Sequence, residues 1–138
     1  MVVTVRNLLG ILSIDKPVMV IYKGENPSIV VSDSKKKGLS NSVLSSTVLS
    51  VEVLPDSKFI DIIAVKNKDG EYESYYQITI SDLMRISASL VLLASCLRIN
   101  DKEYHVCEPE FMDAMIYNCG KYIVKEVTFA DNGVCITI

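Results

Sequence analysis

The strongest constraint on this chain is a likeness between its two halves. Thr4-Val5-Arg6-Asn7-Leu8-Leu9 resembles Thr79-Ile80-Ser81-Asp82-Leu83-Met84, 75 positions later. Each stretch opens on Thr, continues with a β-branched residue and places large apolar side chains at its fifth and sixth positions. The likeness returns at the ends of the halves. Val51-Glu52-Val53 aligns with Lys125-Glu126-Val127, and Asp56-Ser57-Lys58-Phe59 aligns with Asp131-Asn132-Gly133-Val134 after a one-residue gap. A repeated unit restricts a chain of 138 residues to folds that can be built twice from about 65 residues each.

Local signals assign the same elements to both halves. Thr4 and Thr79 suit helix N-caps, because a side-chain oxygen accepts from the free amides of a first turn. Val5, Leu8, Leu9 and Leu12 share one helical face, as do Ile80, Leu83 and Met84, with Ser87 the polar exception. Pro17 ends the first pattern. Val18–Lys23 and Ser28–Ser32 flank the turn Gly24-Glu25-Asn26-Pro27. Likewise Leu93–Ile99 and Tyr104–Cys107 flank Asn100-Asp101-Lys102. Pro109 fits the start of a second helix and Gly120 its end. Each half closes with a hairpin, the second through Asp131-Asn132-Gly133.

The expectation is therefore an α+β fold of two similar halves, residues 1–65 and 75–138. Each would run helix, hairpin, helix, hairpin, and both would pack through their sheets as one compact domain. Residues 66–74, with five charges in nine, separate them as a polar connector or as a hairpin tip between Ile60–Val65 and Tyr75–Ile80. The expected core comprises Leu8, Leu9, Leu12, Val20, Val51, Val53, Ile60, Ile62, Leu83, Met84, Leu97, Val106, Met115, Val127 and Ile136.

The opening Thr-Val-x-x-Leu-Leu helix, the two strands with a polar turn, the short helix and the closing Val-x-Val strand together resemble small α+β proteins common in phages and prophages of low-GC Gram-positive bacteria. The resemblance covers most of residues 1–65 and, more weakly, 75–138. It implies a phage or mobile-element accessory protein and brings no catalytic residue with it. Lys35-Lys36-Lys37 and the serine-rich Ser40–Ser46 depart from the pattern.

Composition narrows the function. Seventeen acidic against fourteen basic residues exclude a strongly basic nucleic-acid binder. Residues 1–65 carry +1 and 75–138 carry −3, with Asp101, Glu103, Glu108, Glu110 and Asp113 forming a mildly acidic region. Such a region suits the basic surface of a partner protein. The longest uncharged stretch is interrupted by serines and is too short to cross a membrane. Without a signal peptide at Met1–Arg6, the expected location is the cytoplasm, with Cys96, Cys107, Cys119 and Cys135 reduced.

Few residues suggest chemistry. His105 and Cys107 are two apart, so on a strand both point to one face as a nucleophile pair. They are two ligands short of a zinc site, and the reading that places His105 at an edge beside a core cysteine is preferred. Neither a phosphate loop nor a cofactor motif occurs, so no catalytic, metal or cofactor site is assigned. The partner-binding candidates are Tyr72, Tyr75 and Tyr76, the basic cluster Lys35, Lys36 and Lys37, and the acids Glu108 and Glu110 around Pro109. Tyrosine buries much area at low entropic cost, which suits an interface. The lysines suit phosphates or an acidic surface, and acids at a helix start also complement its dipole.

The expected function is a non-catalytic protein that blocks a host protein, most concretely an inhibitor of a CRISPR-type defence. The alternatives are a small-ligand or nucleotide-sequestering protein and a small Cys/His-dependent enzyme. Exposed strand edges make a homodimer compatible with the first two.

Overall fold

The computed structural model describes residues 3–13, 16–23, 29–32, 39–52, 58–66, 77–86, 94–130 and 133–138. The chain forms two compact units. One comprises Met1–Gly10 with Asp15–Tyr76, the other Ile11–Ile14 with Gln77–Ile138.

The first helix, α1 (Val5–Ile11), buries Val5, Leu8 and Leu9. Directly after it, β1 (Leu12–Ser13) belongs to the sheet of the second unit. The first unit continues with β2 (Val18–Tyr22), β3 (Ile29–Ser32), the single turn α2 (Asn41–Leu44), β4 (Thr47–Glu52) and β5 (Ile60–Val65). Their order in the sheet is β3-β2-β5-β4. β2 runs parallel to β5 and antiparallel to β3, and β4 runs antiparallel to β5. β2 and β5 alternate strictly, with Val18, Val20 and Tyr22 and then Ile60, Ile62 and Ala64 facing the core. That period of two is the mark of a sheet with one buried face. The polar side chain placed deepest among the described residues of this unit is satisfied. Ser46 is fully buried, its hydroxyl donates to the Ser42 carbonyl at 2.9 Å, and Tyr22 Oη therefore donates to Ser46 Oγ at 2.9 Å.

The second unit holds α3 (Ile80–Ile86), β6 (Ala94–Ile99), β7 (Lys102–His105), α4 (Glu110–Asp113) continuing as a π-helical turn (Ala114–Asn118), β8 (Glu126–Ala130) and β9 (Gly133–Thr137). The sheet order is β1-β8-β9-β6-β7. β6 is parallel to β9 and antiparallel to β7, while β8 is antiparallel to β9. Leu12, Val127, Ile136 and Leu97 form one buried row across β1, β8, β9 and β6. Phe111 and Met115, both buried, come from α4 and the π-helical turn.

The two sheets share one scheme of pairing, and the helix starts match in detail. Thr4 Oγ1 accepts from the Asn7 amide at 3.2 Å while Asn7 Oδ1 accepts from the Thr4 amide at 3.1 Å. Thr79 Oγ1 accepts from the Asp82 amide at 3.2 Å, and Asp82 Oδ2 accepts from the Thr79 amide at 3.0 Å. Each pair is a capping box with Asn or Asp in the place of Glu. The capped segments are then pinned alike. Val5 N donates to Ser46 O and Val48 N to Val3 O; Ile80 N donates to Tyr122 O and Val124 N to Ile78 O. Thr4 thus bridges Thr47, and Thr79 bridges Ile123. This register matches Val51 with Val127, not with the Lys125 that sequence alignment puts opposite it. Thr79→Ala removes an acceptor at a helix start and is expected to cost about 1 kcal/mol, measured by urea unfolding.

The expected α+β architecture of helix–hairpin–helix–hairpin halves is corrected: the molecule is mostly β, two sheets with short helices. α2 is a single turn of four residues, and α4, four residues with a five-residue π-helical continuation, is also below the length at which a helix holds itself together. The apolar runs are spent instead on strands, and the two hairpins of each unit merge through the parallel pairs β2/β5 and β6/β9 into one sheet. Most of the segment read as a polar connector or a hairpin tip, residues 67–76, lies outside the described residues; on either side of it β5 pairs with β2 and β4, and Ile80 begins α3.

Of the expected core, Val106 is 60% exposed, since the chain turns away after β7 through a Glu108 N to His105 O hydrogen bond. Met84 is half-buried and Val53 lies outside the described residues. The other twelve are buried. No described helix is long and apolar enough to cross a membrane.

Candidate functional site

The outward face of the second sheet concentrates the reactive side chains. Side chains alternate along a strand, so the neighbours of the buried Leu97 row project from the opposite face. On one side of that row the register aligns Ser13, Thr128, Cys135, Cys96 and His105 across all five strands. On the other it aligns Glu126, Thr137, Arg98 and Glu103.

Charge on this face is chained through Glu103. Arg98 Nε donates to Glu103 Oε1 at 2.7 Å, and His105 Nε2 lies 3.6 Å from Glu103 Oε2. The hydrogen bond to Glu103 raises the pKa of the Arg98 guanidinium, which is charged in any case. All three side chains are solvent-exposed, so these contacts orient more than they stabilise.

The β6–β7 hairpin closes on Asn100 and Asp101, with φ of 46° and 68°. Two consecutive positive φ values define the turn that matches the twist of a two-residue hairpin, and Asn and Asp tolerate them best among non-glycine residues. Beside this turn is a cleft of about 520 Å³, lined by Arg98, Asp101, Glu103, Lys125 and Thr137 among others.

Two thiols stand side by side between these groups. Cys96 and Cys135 are register partners on the parallel strands β6 and β9, and a bulge falls just before Cys96. Both are half-buried and free. Burial, and then the hydrogen bond and charge of the adjacent Cys96, push the Cys135 thiol up to about 12. The remaining pair differs. Cys119 is buried, which raises its pKa, and Cys107 is exposed.

The arrangement differs from the expected His105–Cys107 pair. β7 ends at His105 and the chain turns, and no described hydrogen bond joins the two side chains. His105 faces Cys96 instead. Glu108 is half-buried in that turn, and Glu110 is exposed at the start of α4, behind Pro109 at the N-cap. Lys35, Lys36, Lys37, Tyr72, Tyr75 and Tyr76 lie outside the described residues.

Sequence reasoning missed the Cys96–Cys135 pairing, although a signal existed. Each cysteine directly precedes a strand residue of the apolar pattern, Leu97 and Ile136. Among the described residues no group of three His, Cys, Asp or Glu side chains is placed to hold a metal ion.

A second feature lies before β8. Tyr122 and Ile123 are 54% and 42% exposed, yet their backbone is held by Ile80 N donating to Tyr122 O, by Val124 N donating to Ile78 O and by Tyr122 N donating to Cys119 O. The same bracket in the first unit carries Ser46, fully buried, and Thr47, half-buried. No family model, curated protein or solved structure matches the chain.

Proposed function

We propose that this protein is a non-catalytic binding module that acts by occupying the surface of another protein, most concretely an effector of a CRISPR-type host defence. The observation that carries the reading is the exposed pair Tyr122–Ile123 on a hydrogen-bonded backbone. Large apolar side chains on a held backbone have only their rotamers to lose on binding, and tyrosine is prominent among residues that dominate interfaces. The fold itself does not ask for them, because the equivalent bracket in the first unit is built with Ser46 and Thr47. The resemblance to phage accessory proteins supplies the setting, and the acidic balance of residues 75–138 complements the basic surface of a nucleic-acid-binding effector.

The test is a plaque assay in a low-GC Gram-positive host whose active CRISPR system targets the infecting phage. Expression of the protein is expected to restore plaques. The Tyr122→Ala/Ile123→Ala variant is expected to lose that effect while its stability changes by less than about 1 kcal/mol, since the bracket uses backbone groups only. Failure of the unmodified protein to restore plaques overturns the reading, and full activity of the folded double variant overturns the assigned surface.

A further inference from the structure

We propose that Cys96 and Cys135 form a redox-active dithiol site that reacts with small-molecule disulfides and closes as a cross-strand disulfide between β6 and β9. The register places the two residues directly opposite each other on adjacent strands. Neighbouring strands lie about 4.8 Å apart, inside the Cα separation of about 4.4–6.8 Å that a disulfide spans. The bulge between Ala94 and Cys96 loosens the ladder at this point, which lets the side chains approach without bending a regular sheet. Both thiols are half-buried on the outward face, so a small reagent reaches them.

The fold does not require the pair. The first-unit row next to the buried Val51, Ile62 and Val20 carries Glu52, Asp61 and Met19. Matching Val51 with Val127 and Ile62 with Ile136 sets Asp61 against Cys135 and Met19 against Cys96. Cysteine is thus a property of the second unit alone, and buried packing does not explain it.

The order of events follows from the surroundings. Cys96 is the attacking group, because it alone of the two lies opposite an imidazole in the register, whereas Cys135 lies opposite Thr128. The register partner of Cys96 on that side is His105, which Glu103 approaches at 3.6 Å, and the imidazole stands opposite Cys96 as a base for its proton. The Cys96 thiolate attacks one sulfur of the small disulfide, forming a mixed disulfide and releasing one small thiolate. The Cys135 sulfur then attacks the Cys96 sulfur, giving up its proton and expelling the second small thiolate. The protein yields two electrons and two protons, and the small disulfide becomes two thiols.

The test uses the full chain carrying Cys107→Ser, which removes the exposed thiol, and glutathione disulfide as the probe. Incubation of the folded protein is expected to remove two alkylatable thiols and to give a Cys96–Cys135 linked peptide by mass spectrometry, reversed by dithiothreitol. Adding Cys135→Ser is expected to trap a stable glutathione adduct on Cys96. Adding Cys96→Ser is expected to slow consumption of the probe by at least about tenfold, because the remaining Cys135 has no imidazole opposite it to take its proton. If folded protein keeps both thiols alkylatable, or carries separate glutathione adducts on both without a link, the proposal fails.

Discussion

Replacing Leu8 or Leu83 with alanine is expected to destabilise the unit that holds it by about 3 kcal/mol, the usual loss for a fully buried leucine. Both side chains are 0% exposed and both sit on the inner face of a capped seven-residue helix. Helices this short are not stable by themselves in water, so α1 and α3 persist because their apolar face is packed. The alanine variants lose that packing and leave a cavity, and the neighbouring strands can only partly collapse into it. Urea unfolding gives the magnitude. Amide exchange gives the location, with Leu8→Ala expected to reduce protection in Val18–Tyr22 and Ile60–Val65, and Leu83→Ala in Ala94–Ile99 and Gly133–Thr137. A loss below about 1 kcal/mol in either variant would show that the helix contributes no more than an ordinary surface element.

The equivalence of Leu8 and Leu83 was legible because capping and apolar spacing are local. Thr4 and Thr79 each precede a polar residue three positions on and a pair of large apolar residues, and the structure builds the same box from both. The strands were legible for the same reason: Val18–Tyr22 and Ile60–Val65 are short runs rich in β-branched residues, and Asn100-Asp101 is a turn by its own chemistry. What escaped is non-local. Nothing within Val18–Tyr22 or Ile60–Val65 tells either strand that its neighbour is parallel, so the merging of two hairpins into one sheet leaves no local mark. Val106 follows Tyr104 at the spacing of one strand face, yet the turn that begins at His105 leaves it in solvent. The same limit hid the site. Cys96 and Cys135 are far apart in sequence, and only the β6–β9 register brings them together, whereas His105 and Cys107 look adjacent and are separated by the turn.

Closing the Cys96–Cys135 bond, proposed above, is expected to stabilise the protein by about 3–4 kcal/mol, from the chain entropy that a loop of this length loses in the unfolded state. The bond would enclose 38 residues, including β7, α4 and β8. The gain is realised only where the native state accepts the bond without distortion, and here the partners are already in register with a bulge beside them. For a unit of this size each kcal/mol moves the midpoint by several degrees, so the oxidised protein is expected to melt more than about 10 °C above the reduced one. The comparison is made by calorimetry on the Cys107→Ser protein after glutathione disulfide and again after dithiothreitol. The same protein with Cys96→Ser is expected to melt at one temperature under both treatments, which separates the bond from any effect of the reagents. An oxidised protein that carries the linked peptide but melts no higher than the reduced one would mean that the bond strains the β6–β9 ladder by as much as it restrains the unfolded chain.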